Sequence, residues 1–238
     1  MSWLAEALAA CTLSSEGYEY LMGRAARRET IEQSRLTTWA CTSEVVPEPV
    51  FVDRYGPHGE QLEGRLICPF WSPRGAILGF EARRLDRKDL SRYLLPEAAW
   101  QPIFFGTRTA MPKIWAGAEL WIVEGQFDIY PLEWVVPPEN AILGAGRAKL
   151  TDKQVEFLCR FPPKMINMAF DTDEAGRKGT LGWADAAGKR HWGALDVLQR
   201  AGLPCRDWIY EGGKDPGEIW DRGGVEGLKR AFSGARHR

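Results

Sequence analysis

The chain has 238 residues, 45% hydrophobic and 26% charged, with 31 Lys and Arg against 32 Asp and Glu. This is the composition of an ordinary soluble protein, with enough apolar residues for two modest domains. No apolar stretch approaches the ~20 residues needed to span a bilayer, and the amino terminus lacks a basic segment followed by an apolar core, which argues against a membrane or secreted role.

Residues 1 to about 45 read as helices, with Leu4, Leu8 and Cys11 at helical spacing and Ser14-Ser15-Glu16-Gly17 as a break or cap. Pro47 and Pro49 mark a boundary. Residues 50–118 are strand and turn rich, with hairpin turns at residues 55–59 and at Ser72-Pro73-Arg74-Gly75. Within them Arg83, Arg84, Arg87, Lys88 and Arg92 crowd into ten residues, a track for phosphates. Glu81, Asp86 and Asp89 interleave with that cluster, so a solvated charged hairpin is the competing reading. Trp71, Trp100 and Trp115 lie in the same half, where unpaired bases could stack, although most of the eleven tryptophans are expected in cores.

Residues 119–220 alternate strand and helix, which argues for a mostly parallel sheet. The apolar run Leu120-Trp121-Ile122-Val123 suits a buried strand, and Glu124-Gly125-Gln126-Phe127-Asp128 follows it directly. Pro131 predicts a first helix that is short or starts late. Ala141-Ile142-Leu143-Gly144 is a second strand, and Thr151-Asp152 can cap a helix through Leu158. Residues 165–170 form a third strand, from which Asp171 and Asp173 point to one side if the extension continues. Residues 181–201 are expected to be mostly helical, and residues 205–210 form a further strand that ends in a turn at Gly212-Gly213-Lys214-Asp215-Pro216. Each acidic pair alone is more often a turn or helix cap than a metal site. Their joint occurrence after successive apolar runs favours carboxylates gathered at the carboxyl edge of a sheet, where Mg²⁺ finds hard oxygen ligands.

The five cysteines are scattered without a Cys-x-x-Cys pair, and there are three histidines, so neither a disulfide framework nor a zinc site is indicated. Gly144, Gly146 and Lys149 imitate a P-loop with the wrong spacing, so no motor of that kind is read here.

Glu124-Gly125 with Asp128, Asp171-Thr172-Asp173 with Ala175-Gly176, and Gly213-Lys214-Asp215-Pro216 together resemble the TOPRIM domain, the last element being most like that of bacterial and phage DNA primases. Upstream, Gly64-Arg65-Leu66-Ile67-Cys68-Pro69-Phe70, Gly79-Phe80-Glu81-Ala82-Arg83-Arg84 and Arg92-Tyr93-Leu94 resemble the basic subdomain of the DnaG-type primase core. The likeness runs from about Tyr18 to Trp220.

The resemblance implies an α/β fold (α+β overall). A Rossmann-like, mostly parallel TOPRIM sheet flanked by helices at 119–220 would follow a helical and β-rich basic subdomain at 1–118 and precede a short basic tail at 221–238. It implies primer synthesis on single-stranded DNA from ribonucleoside triphosphates, with Glu124, Asp171 and Asp173 as catalytic residues. Two Mg²⁺ or Mn²⁺ ions, and no zinc, would be held by these three with Asp128 and Asp215. Arg65, Arg83, Arg84, Arg92 and Lys214 would bind nucleotide or template. Implied partners are a replicative helicase or a separate zinc-binding initiation domain, in bacterial cytoplasm or nucleoid, with phage or mobile-element character. Gly217 stands where many primases carry a further acidic or amide residue, so either one metal ligand is lost there or Glu218 substitutes. A TOPRIM nuclease and a noncatalytic binding module are the alternatives.

Overall fold

The computed structural model describes residues 8–9, 11–38, 60–85, 93–94, 103–234 and 236–237. The expectations at Leu4, Pro47, Pro49, residues 55–59, Arg87, Lys88, Arg92 and Trp100 lie outside these. The chain forms two compact units, Met1–Trp100 and Gln101–Arg238.

In the first unit, Ser14 ends the preceding segment and caps α1 (Ser15–Gly23), its hydroxyl accepting the Gly17 N–H at 3.0 Å. After α2 (Arg28–Ser34) the helical expectation stops, because Arg35 turns left-handed at φ 57°. The β-branched pair Thr37–Thr38 then forms β1. It pairs antiparallel with β2 (Leu66–Trp71), which forms a hairpin with β3 (Ile77–Arg83). Their turn is closed by the Ser72 N–H donating to the Ala76 carbonyl at 2.7 Å. A short β4 (Tyr93–Leu94) completes the order β1-β2-β3-β4. Leu62, Ile67, Phe80 and Ala82 form the core beneath the sheet with Leu8 and Cys11.

The second unit opens with α3 (Thr107–Trp115), then alternates strand and helix: β5 (Leu120–Val123), α4 (Ile129–Leu132), β6 (Ala141–Gly144), α5 (Asp152–Arg160), β7 (Ile166–Ala169) and α6 (Glu174–Leu181). A hairpin of β8 (Trp183–Ala184) and β9 (Arg190–His191) leads to α7 (Ala194–Arg200), β10 (Cys205–Ile209), α8 (Pro216–Ser233) and β11 (Arg236–His237). The sheet order is β11-β10-β7-β5-β6, in which β10, β7, β5 and β6 are parallel and β11 is antiparallel. All residues of β5, β6 and β7 are buried, as strands covered on both faces require. Leu120, Ile122, Leu143, Ile166 and Met168 pack one core with Phe104, Phe157 and Leu198. Elsewhere in this unit Trp121, Trp208 and Phe232 meet in sequence, with ring centroids 5.5 and 4.5 Å apart.

Three local expectations differ from the structure. Residues 181–201 are not mostly helical. Gly182, at φ 75°, ends α6, and Asp185 Oδ1 accepts the Ala187 and Lys189 N–H groups to form the turn between β8 and β9. Residues 107–115, assigned to the amino-terminal part by sequence, contribute Ala110, Met111 and Ile114 to the core of the parallel sheet. Residues 221–233 continue α8 through a break at Gly224 (φ 55°, ψ −152°), and bury Leu228 and Phe232.

Candidate metal centre

The parallel strands occur along the chain as β5, β6, β7 and β10, but across the sheet as β10, β7, β5 and β6. The crossover after β5 therefore runs to one side and the crossover after β6 returns to the other. This makes the gap between the carboxyl ends of β5 and β7 the topological switch point, where open α/β sheets place ligands. Glu124 follows β5 there, and Asp171 lies just beyond β7.

Each acidic loop is shaped by a close approach. A Cβ on Gly125 would lie 2.2 Å from Asp128 Oδ2, so the glycine lets the Asp128 carboxylate fold back over the turn. Asp128 ends a short 3₁₀ turn (Gln126–Asp128), and α4 spans only four residues including Pro131, the short first helix read from the sequence. Beyond β7 the chain does not stay extended. Asp173 caps α6, its Oδ1 accepting the Gly176 N–H at 2.9 Å. Asp215 likewise caps α8 by accepting the Glu218 N–H at 2.6 Å. Asp173 and Asp215 thus combine the helix-cap role with a place beside the other carboxylates.

Thr172, which the sequence reading did not single out, ties two of these loops together. Its N–H donates to the Lys214 carbonyl at 2.7 Å, and its hydroxyl donates to the Gly213 carbonyl at 3.1 Å. Tyr210 adds a buried brace, donating its hydroxyl to the Phe170 carbonyl at 3.2 Å. The only sequence signal for Thr172 is a hydroxyl placed between two aspartates.

The electrostatics follow from this convergence. Burial, then the neighbouring Glu124, Asp128, Asp215 and Asp173, push the Asp171 carboxyl up to about 8. Burial and then Asp173 raise Glu124, although it receives the Asp171 backbone N–H and feels Lys214. Burial and the same carboxylates hold the Tyr210 hydroxyl above its ordinary range. Lys214, paired with Asp215 Oδ2 at 3.2 Å, is raised by that contact.

Glu124 Oε2 and Asp171 Oδ1 are both buried with no hydrogen-bond partner. Two orphaned carboxylate oxygens at one switch point, in a field of further carboxylates, fit a divalent cation with oxygen preference. Among the described residues no three acidic, histidine or cysteine side chains close around a common point, so an ion held here would keep part of its water shell. Glu218 is committed elsewhere, with Oε2 accepting the Lys214 N–H at 2.7 Å and Oε1 accepting from Arg222 at 2.6 Å. It therefore shapes the loop instead of replacing the residue missing at Gly217.

The basic residues divide. Arg65 is buried and its Nε donates to the Gln61 carbonyl at 3.0 Å. Arg83 is buried between the rings of Tyr20 and Tyr93, 5.1 and 5.0 Å from their centroids, and bonds the Tyr93 hydroxyl. Neither guanidinium faces solvent as a phosphate contact requires; both hold the first unit together. Arg84 is half-buried, Lys214 is beside the carboxylates, and Arg92 lies outside the described residues.

Residues 121–220 match the family model described as Toprim-like. The chain is 29% identical over 182 residues to the DNA primase of Deinococcus radiodurans, covering 74% of this chain and 29% of that protein. It superposes on part of a structure of the Aquifex aeolicus primase that contains zinc-binding and RNA polymerase domains, with a TM-score of 0.70 at 22% identity, covering 99% of this chain and 60% of that one. It is also similar to a DnaG primase catalytic domain bound to ssDNA, with a TM-score of 0.65 at 17% identity, covering 99% and 78% of the two chains. The chain has a DnaG-type primase core fold with a Toprim-like domain. It spans less than a third of the length of the curated primases it matches. In the Toprim-like domain, Glu124, Asp128, Asp171 and Asp173 lie on the loops after β5 and β7, and Lys214 and Asp215 on the loop after β10.

Proposed function

We propose that this chain synthesises short RNA primers on a single-stranded DNA template, joining ribonucleoside triphosphates by two-metal nucleotidyl transfer. The observation that carries the reading is the pair of buried, unpartnered oxygens on Glu124 and Asp171 at the switch point of a Toprim-like domain. Further support comes from curated relatives that are DNA primases.

Glu124 and Asp171 would hold divalent cations directly, with Asp128 beside them. Asp173 would use the oxygen not engaged in capping, and Asp215 its Oδ2, shared with Lys214. Bound Mg²⁺ or Mn²⁺ supplies charge neutralisation at the attacking and leaving oxygens. Lys214, more than half exposed beside Asp215, is placed to receive a triphosphate oxygen. The chain's part is to align a 3′-hydroxyl with the α-phosphorus, so that the new P–O bond forms as the bond to pyrophosphate breaks and the hydroxyl proton is lost to solvent. No covalent enzyme intermediate is needed, and the rate gain comes from positioning and fixed charge. Arg84 and Arg92 are the remaining template or triphosphate contacts from the basic cluster, since Arg65 and Arg83 are structural. A helicase or a separate zinc-binding domain would supply start-site selection, in bacterial cytoplasm or nucleoid.

The test is incorporation of labelled ribonucleotides on single-stranded DNA with Mg²⁺ or Mn²⁺. Short products that disappear in Glu124→Gln are expected. Metal-dependent DNA cleavage without nucleotides, and no products with them, would replace this reading by a nuclease.

A further inference from the structure

The segment that departed from its helical expectation carries a second surface. Between Gly182 and Gly193 the chain forms the β8–β9 hairpin, and a Cβ on Gly193 would lie 2.2 Å from the Gly182 nitrogen, so the hairpin's two ends are clamped together. Asp185 closes the turn and pairs with His191 Nε2 at 3.1 Å. On this hairpin the Trp183 indole lies flat on the His191 ring, with centroids 4.3 Å apart and planes 9° from parallel, yet it stays 40% exposed. Lys178 Nζ stands 5.3 Å from the centre of the same indole. A groove of about 370 Å³ runs along α6, lined by Thr172, Glu174, Arg177, Lys178, Leu181 and Gly182, with Lys178 Nζ paired to Glu174 Oε1 at 2.6 Å. It leads from the residue after Asp171 to the residue before Trp183. Arg177 is exposed and makes no ion pair among the described residues.

We propose that this groove and Trp183 form a track for the single-stranded DNA template, with an unpaired base stacked on Trp183 and an adjacent phosphate on Arg177. The inference rests on the polymerase reading above and extends it to a site outside the metal centre. Three features select this partner. An exposed aromatic platform recognises π-faces, which only unpaired bases offer freely. Arg177, exposed in the groove and in no ion pair among the described residues, suits a phosphate of a polyanionic backbone. The braced hairpin presents the ring with little ordering cost.

Binding of a fluorescein-labelled oligo(dT) to the full chain, followed by anisotropy at fixed salt, tests the track. Trp183→Ala is expected to weaken binding by about 5- to 100-fold. Arg177→Ala should weaken it less and reduce the salt slope by about 0.7. Trp183→Phe keeps an aromatic platform and should restore most of the affinity, separating stacking from a collapsed hairpin. Unchanged affinity in Trp183→Ala and Arg177→Ala overturns the proposal, as does tighter Trp183-dependent binding of single-stranded RNA or of a protein partner than of DNA. The two readings fail separately. If wild-type protein makes primers and Trp183→Ala binds template normally, the track fails alone. If Trp183-dependent DNA binding is present without any incorporation, the polymerase reading fails alone.

Discussion

Asp171→Asn should abolish metal-dependent activity, by roughly 100- to 1,000-fold or more, and at the same time stabilise the metal-free protein. The activity loss follows from removing one of the two orphaned buried oxygens facing the switch point. The stability gain follows from the carboxyl being raised from 3.8 to about 8 by burial and then by Glu124 and its other acidic neighbours. A carboxyl whose folded pKa is raised binds its proton more tightly when folded. Stability from this group is therefore greatest below about 4 and is lost as pH rises toward about 8. Wild-type protein should lose stability across that window relative to Asp171→Asn. Because the side chain is partly solvated, the difference at neutral pH is discounted to about 1–3 kcal/mol. Thermal melts from pH 4 to 8 in chelator measure it. Added Mg²⁺ should raise the wild-type midpoint by mass action and leave the variant's unchanged. A variant less stable than wild type throughout would mean that this carboxylate is satisfied in a way the geometry does not contain.

The second large effect is steric and lies away from the carboxylates. Gly179 faces the loop after β6 so closely that an added Cβ would sit 1.7 Å from the Ala148 carbonyl oxygen and 2.7 Å from its carbon. Both are backbone atoms, so no side chain can rotate away. Gly179→Ala must push α6 off its seat, at a cost of about 3 kcal/mol or more, lowering the melting midpoint by roughly 6–12 °C. The same helix is capped by Asp173, and Gly176 within it approaches the Asp171 carbonyl oxygen at 2.1 Å from its own would-be Cβ. Activity should therefore fall with stability, even though Gly179 carries no functional group. A melting midpoint within 2 °C of wild type would mean the α6 packing is far looser than this geometry.

The parts of this fold that could be read locally are those fixed by local physics. The apolar runs 120–123 and 141–144 are strands buried on both faces, and the acidic residue after the first marks its carboxyl end. Thr151 and Gln154 make a reciprocal cap at the start of α5, as their spacing suggests. Long-range matters stayed hidden. Arg83 belongs to a cluster with cationic neighbours in sequence, but Tyr20 and Tyr93, from distant segments, bury it. Asp171 and Asp173 suggested a shared strand face, whereas β7 ends at Ala169, the chain bends at Thr172 and Asp173, and Asp173, with extended backbone, caps α6 through Gly176. The alanines at 184, 186 and 187 favour helix by propensity, and Asp185, Gly182 and Gly193 override them with turn chemistry and close backbone contact.

The proposed polymerase requires the carboxylates gathered after β5, β7 and β10 to hold divalent cations. Titrating Mn²⁺ into the chain, with free ion followed by electron paramagnetic resonance, tests it most directly. Uptake of two ions per chain, with tight uptake lost in both Glu124→Gln and Asp171→Asn while the fold is retained, is the predicted result. Undiminished Mn²⁺ uptake in both folded variants would place the metal elsewhere and contradict the assignment of Glu124 and Asp171 as its ligands.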